Sequence, residues 1–335
     1  MKFKKTFIIA EAGVNHNGSL KKALKLVDIA KNSEVDAVKF QTFLASEEIS
    51  KGAPKAKYQI DKFKKEEDQL SMVKKLELSF KEQNKIFLYC KKRKIEFISS
   101  PFDIKSINFL KSIKINTVKI PSGEINNYPY LLHISKKKFK NIILSTGMSN
   151  IQEIKNAIKI LNSVSKPNIS ILHCISAYPT NLNELNLRAI MNLKKKFNTE
   201  VGLSDHSLGI DGSVFGVLSG ASIIEKHFTI NKKMKGPDHK ISLSPSELKK
   251  MVKKIRFVEK ILGDGKKIPK HSELKNLKIV RKSIVAKSVI LKGQKFTEKN
   301  ITTKRPGTGI SPMKWKKFIG KKSRKNYKID ELISS

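Results

Sequence analysis

Short apolar runs of β type alternate with amphipathic stretches through the first two-thirds of the chain. The runs are residues 6–12 (TFIIAEA), 36–41 (DAVKFQ), 95–99 (IEFIS), 117–121 (TVKIP), 141–146 (NIILST), 169–175 (ISILHCI), 200–204 (EVGLS) and 222–228 (SIIEKHF). Between most of them apolar residues recur three and four apart, as in residues 20–31 (LKKALKLVDIAK) and 151–161 (IQEIKNAIKIL), and this spacing predicts helices. Asn150, with Glu153 at the third helical position, predicts a capped helix start. Strands alternating with helices predict a parallel sheet with right-handed crossovers. Eight strands close a (β/α)8 TIM barrel, whose usual size is about 250 residues. An open doubly wound sheet is the rival, but the turn after the first run, A-G-V-N-H-N-G, lacks the glycine spacing of a phosphate-binding turn.

The pattern changes after residues 251–262 (MVKKIRFVEKIL), which read as the last barrel helix. Gly263 to Pro269 (GDGKKIP) is turn chemistry. Residues 281–286 (RKSIVA), 289–291 (VIL) and 301–305 (ITTKR) then read as short β pieces separated by Gly and Asn. The expected organisation is a barrel over residues 1–263, a linker over 264–279 and a small β-rich domain over 280–335.

Composition narrows the class. Of 335 residues, 39 % are hydrophobic and 29 % charged, which is enough apolar material for a sizeable core. Lys+Arg is 69 and Asp+Glu 29, so the net charge is +40. Such an excess raises a nucleic-acid reading. Only six of the 69 basic residues are Arg, however, and the lysines are spread along the polar sides of amphipathic segments. Nucleic-acid readers favour the planar fork of Arg, so the excess reads as a solvated lysine surface, with no nucleic-acid partner. Two cysteines, Cys90 and Cys174, exclude a disulfide framework and are expected simply to pack. The basic N-terminus has an apolar run that stops at Glu11, too short for a leader, and no run approaches the roughly 18 apolar residues of a membrane span. A cytoplasmic protein with no membrane partner is expected.

In a closed barrel alternate strand residues point inward and the active site sits at the carboxyl ends. An inward ionisable group is costly unless paired, metal-bound or functional. Here every strand carries polar groups near its end: Glu11; Lys39 and Gln41; Ser99 and Ser100; Lys119 followed by Ser122 and Glu124; Ser145; His173 followed by Ser176 and Tyr178; Ser204, Asp205 and His206; Glu225 and His227, with Lys226 on the other face. His206 and His227 end consecutive strands, and two imidazoles with oxygen ligands suit Mn, Fe, Co or Zn. Ser122, Ser145 and Ser204 are either caps of the following helices or anion contacts. Lys39, inside an apolar strand, suggests a phosphate or carboxylate ligand. His16, between two asparagines, reads equally as a turn residue or a site residue.

Several segments together carry a resemblance: EAGVNHNG (11–18), AVKFQTF (37–43), SPFD (100–103), KIPSGE (119–124), LSTGM (144–148), SDH (204–206), IEKHFT (224–229), GPDHK (236–240) and KRPGTGISP (304–312). In order and spacing they resemble the N-acetylneuraminate (sialic acid) synthase family, which includes the legionaminic acid synthases. The resemblance implies a (β/α)8 barrel followed by an antiferreeze-like SAF domain, and condensation of phosphoenolpyruvate with an open-chain N-acylated amino sugar to give a nine-carbon 2-keto acid and phosphate. It implies acid–base and positioning roles for Glu11 and Glu124, with Glu225 close to a divalent ion (Mn2+, or Mg2+ or Co2+) held by His206 and His227. It places Lys39, Gln41, Ser100, Lys119, Ser122, Ser145, Ser176, Tyr178, Ser204 and Asp238 around the substrates. Ser100 stands where many members carry Thr, and Ser176 where some carry Asn, so the resemblance leaves open whether 176 contacts substrate. The family forms homodimers in which the loop bearing Arg305 completes the partner's site, the arginine binding the N-acyl group. Overall likeness ranks N-acetylmannosamine first as the sugar, with 2,4-diacetamido-2,4,6-trideoxymannose, the legionaminate precursor, as the alternative. A non-catalytic carbohydrate- or ice-binding role would need none of the barrel-mouth carboxylates.

Overall fold

The computed structural model describes residues 5–51, 53 and 68–334; residues 1–4, which open the basic N-terminal run, lie outside them. The chain divides into two compact units after Gly263. In the first, β1 (Phe7–Gly13), β2 (Ala37–Thr42), β3 (Glu96–Pro101), β4 (Thr117–Ile120), β5 (Asn141–Ser145), β6 (Asn168–Cys174), β7 (Val201–Asp205) and β8 (Ile223–His227) pair in chain order. Each pairing is parallel, and β8 returns to β1 with Glu11 opposite His227, so the sheet closes as the alternation of apolar runs predicts.

Helices cover the outside: α1 (Leu20–Asn32), α2 (Ala45–Glu48), α3 (Gln69–Lys74), α4 (Phe80–Arg93), α5 (Ile104–Ser112), α6 (Tyr128–Lys136), α7 (Ile151–Leu161), α8 (Arg188–Phe197), α9 (Asp211–Leu218) and α10 (Pro245–Leu262). The predicted capping box at Asn150 and Glu153 is formed, and Ser79 with Glu82 and Ser244 with Glu247 form two more. Each fixes where a helix begins and satisfies amide groups that the helix leaves bare. At the amino ends of the strands Arg256 of α10 ties the unit together. Its guanidinium donates to Thr6 O (2.8 Å), Asp36 Oδ2 (2.9 Å) and Glu259 Oε1 (3.0 Å), while Asp36 accepts from Ile8 N.

Inside the barrel Ile9, Ala37, Ile98, Ile143, Leu172 and Ile223 form an apolar cluster separate from the larger core under the helices. It is the floor on which the polar ends of the strands stand. Gly202 of β7 faces this cluster. A Cβ there would meet Ile223 O at 2.3 Å and Leu172 Cδ2 at 2.7 Å, so only glycine lets the neighbouring side chains meet.

The second unit contains α11 (His271–Val280), an antiparallel pair β9 (Ser283–Ala286) and β10 (Ile301–Lys304), and the short α12 (Trp315–Phe318). Ile284, Ile290, Phe296, Ile301, Phe318, Tyr327 and Ile333 make its core. Residues 289–291, read as a strand, form only a single bridge from Ile290 to Tyr327. The flanking Val289 and Leu291 are exposed, so one buried residue is all that segment contributes. The stretch expected as a linker holds α11, because Leu274 and Leu277 continue a helical spacing past the turn residues that end at Pro269.

Gly202→Ala should destabilise the barrel by about 1–3 kcal/mol, the usual cost of overpacking. Urea unfolding of the purified variant measures this; wild-type stability would show that β7 and β8 can separate at the floor without penalty.

Candidate active site

One step above the floor, each strand offers its next inward residue: Glu11, Lys39, Ser100, Lys119, Ser145, Cys174, Ser204 and Glu225. All eight line a single cavity of about 420 Å3. The period of two along a strand places them, since each lies two residues beyond a floor position or its equivalent. A bulge between Glu11 and Gly13 ends β1, and Gly13 has φ +50°, a conformation natural to glycine.

Four charged groups neutralise one another at this level. Lys39 Nζ lies 2.8 Å from Glu11 Oε2, 3.9 Å from Glu225 Oε2 and 3.1 Å from Ser100 Oγ. Lys119 Nζ lies 3.1 Å from Glu225 Oε1, which also accepts from Ser204 Oγ at 3.0 Å. Burial on its own would raise Glu225, but the Lys119 and Lys39 ammoniums and the hydrogen bonds to it hold the carboxyl well below the usual range. Glu11 goes the other way. Burial and the Glu225 charge raise it despite Lys39, so it binds a proton more readily than an ordinary glutamate. Burial also pulls Lys119 down. One carboxyl fixed as the anion beside another raised towards neutrality is the asymmetry that acid–base work requires.

The histidines stand at the rim of the same cavity, ring centroids 5.7 Å apart. His206 Nδ1 donates to Ile175 O at 2.8 Å, which leaves Nε2 with its lone pair. His227 Nδ1 is buried with no hydrogen-bond partner, 4.0 Å from Asp238 Oδ2, and burial lowers the ring to about 4, so it is neutral at pH 7. The neutral His227 ring and the Nε2 of His206, beside a carboxylate, are donors of the type a divalent ion takes. Among the described residues no group of three or more His, Cys, Asp or Glu converges on one point.

Gln41, Ser122, Ser176, Tyr178 and Asp238 line the cavity too. Ser122 Oγ accepts from Gly147 N at 2.9 Å, and Ser145 Oγ is buried without a partner. None of Ser122, Ser145 and Ser204 caps a helix: Asn127 and Asn150 do so for α6 and α7. Glu124 stands apart from the ion-pair group. Its carboxylate accepts from Asn127 Nδ2 at 2.6 Å and raises the nearby Glu48, which does line the cavity. Arg305 belongs to the second unit, where its Nε donates to Val280 O at 3.1 Å. His16 is a turn residue whose Nδ1 accepts from Gly18 N.

Cys174 was read from the sequence as packing only, yet it borders the cavity 3.9 Å from His206 Nδ1. In LHC both faces of β6 are apolar enough to be buried, so the alternation does not show which of His173 and Cys174 turns inward. His173 is taken up by Leu185 O instead. Glu48 was missed as well, since an exposed acidic residue at the end of the short α2 carries no signal that sets it apart.

The sequence pattern of the NeuB family matches residues 26–267, and that of the SAF domain residues 281–334. The chain belongs to the NeuB family. A N,N'-diacetyllegionaminic acid synthase of Campylobacter jejuni is 52 % identical over 332 residues, covering 98 % of this chain and 99 % of that protein. One from Legionella pneumophila is 43 % identical over 96 % of this chain and 91 % of its own length. The crystal structure of N-acetylneuraminic acid (sialic acid) synthetase from Leptospira borgpetersenii, in complex with citrate, superposes with a TM-score of 0.74 at 37 % identity, covering 82 % of this chain and 90 % of that one. The two legionaminic acid synthases are thus more similar to this chain in sequence than the sialic acid synthetase of the Leptospira structure.

Behind the NeuB-family site, on the outward faces of β7 and β8, Lys226 Nζ donates to Asp205 Oδ2 at 2.9 Å. Asp205 also accepts from Ser207 N, Ser207 Oγ and Ser213 Oγ, which fixes the turn carrying His206. Both side chains are essentially inaccessible to solvent. Lys226→Met should therefore cost about 3–5 kcal/mol, because it leaves a buried carboxylate without its counter-charge. Asp205→Asn in the same chain should restore part of that loss. Urea unfolding of both variants checks it, and an undiminished Lys226→Met would show that the pair is not a constraint.

Proposed function

We propose that this protein condenses phosphoenolpyruvate with open-chain 2,4-diacetamido-2,4,6-trideoxymannose, giving N,N'-diacetyllegionaminic acid and phosphate. The observation that carries the choice of sugar is the 52 % identity along nearly the full length of the Campylobacter jejuni legionaminate enzyme. N-acetylmannosamine is the second reading, favoured by the likeness to the Leptospira structure.

In this reading the anionic phosphoenolpyruvate lies against Lys39 and Lys119, with Ser122, Ser145 and Ser204 as hydroxyl partners for its phosphate and carboxylate. The enol carbon attacks the aldehyde carbon, and the aldehyde oxygen takes up a proton to become a hydroxyl. Water then adds to the cationic C2 and loses a proton, and the tetrahedral centre collapses with expulsion of phosphate. Glu11, raised in its proton affinity and held against Lys39, is placed to hold or hand over a proton during addition. Glu225, fixed as an anion between two ammoniums, balances positive charge at the centre. Glu124, next to the cavity-lining Ser122 and Gly123 and bonded to Asn127, keeps the acid–base role that the family likeness suggests. His206 and His227 would hold a divalent ion, Mn2+ first with Mg2+ or Co2+ as substitutes, which would supply Lewis acidity when bound. Tyr178, Gln41, Ser100, Ser176 and Asp238 position the sugar and its partner. The reading includes a homodimer in cytoplasmic surroundings, with the Arg305 guanidinium completing the second subunit's site.

The purified enzyme, given phosphoenolpyruvate and each sugar, should show a kcat/KM for the diacetamido sugar roughly 10-fold or more above that for N-acetylmannosamine, the scale on which pockets separate such analogues. Phosphate release with mass analysis of the product measures it; the opposite order would restore N-acetylneuraminate synthesis. Chelation should abolish turnover and Mn2+ should restore it. His206→Ala and His227→Ala should each weaken Mn2+ binding in titration calorimetry while circular dichroism stays native. Full activity in chelator would remove the metal from the reaction.

A further inference from the structure

The cavity changes character along its length. Every lysine and the central carboxylates sit on the barrel strands, whereas the end above β1, β2 and β3 is walled by Val14, Phe43, Ile49, Val73, Leu76 and Phe102. Val14, Phe43 and Leu76 are buried together, with Val73 and Phe102 packed on them, and Phe43 meets Phe102 edge to face at 6.4 Å. This cluster is separate from both the floor and the core under the helices. Folding therefore does not consume it wholly, since the same residues also face the cavity.

Phosphoenolpyruvate has no use for such a wall, because its charges belong with Lys39 and Lys119. The aldehyde must reach the enol carbon at the polar end, so the opposite end of the sugar lies away from it. A sugar hydroxylated at its last carbon would set a hydroxyl against apolar carbon, where these side chains offer it no hydrogen bond for the water it loses. A sugar ending in methyl would instead bury that methyl. Glu48 and Gln69 border the same end and offer hydrogen-bonding groups for an amide.

We infer that the Val14–Phe43–Val73–Leu76–Phe102 wall is the subsite that receives the terminal carbon of the acceptor sugar and selects a 6-deoxy, methyl-ended substrate over a 6-hydroxylated one. This rests on the condensation proposed above, but not on which amide the sugar carries at C4. The comparison that isolates it uses two sugars differing at C6 alone, N-acetyl-6-deoxymannosamine and N-acetylmannosamine. The wild-type enzyme should prefer the deoxy sugar by roughly 10- to 100-fold in kcat/KM, the range in which apolar pockets discriminate against an added hydroxyl. Val14→Thr and Val73→Thr, which exchange a methyl for a hydroxyl at constant shape, should each shrink that preference several-fold, with the KM for phosphoenolpyruvate unchanged. Equal rates with the two sugars, or a preference untouched in both variants, would overturn the subsite even where the diacetamido sugar is the better substrate. Failure of every sugar to condense would overturn the reaction beneath it.

Discussion

The structure turns on four charges placed inside a closed sheet. Glu11, Lys39, Lys119 and Glu225 are all but inaccessible to water, and each would be costly there alone. The arrangement is sustained because the two ammoniums lie within ion-pair distance of the two carboxylates, across β1, β2, β4 and β8. A slip of one residue in any of these strands would turn its charged group out of the barrel and strand the others. The charges thus bind catalytic layout and strand register into one requirement.

The same strands carry a second pair on their reverse faces. Lys226 and Asp205 lie beneath the helices, next in sequence to His227 and His206. Buried ion pairs stabilise little compared with apolar residues of the same volume, but breaking one is expensive. A pair of this kind is better understood as fixing where two neighbouring strands stand. Through Asp205 and its bonds from Ser207 and Ser213 it also holds the turn beyond β7, and with it one of the two imidazoles.

Net charge, by contrast, does not locate the site. The +40 balance is carried overwhelmingly by lysine, and the lysines that line the site are Lys39 and Lys119. Lys39 was conspicuous in the sequence because it interrupts an apolar strand. Lys119 was noted as a polar group near the end of its strand. The solvated lysines, although far more numerous, say nothing about the chemistry.

The sequence by itself determined the strand–helix alternation, the closure at eight and most of the inward polar residues, because a period of two along a strand and three to four along a helix are local properties of the chain. It also determined the caps at Asn150 and Ser244, which depend on residues three apart. Tertiary structure decided what those patterns leave open. It chose Cys174 over His173 for the interior, since both faces of β6 are buried and alternation gives no contrast there. It split the two central carboxyls, raising Glu11 and lowering Glu225, because proton affinity depends on which ammoniums stand within a few ångströms and those come from strands far away in sequence. It assembled Val14, Phe43, Leu76 and Phe102 into one wall from separate loops, each of which alone reads as ordinary packing. Local spacing specifies which way a side chain points, whereas only the closed barrel specifies what it meets.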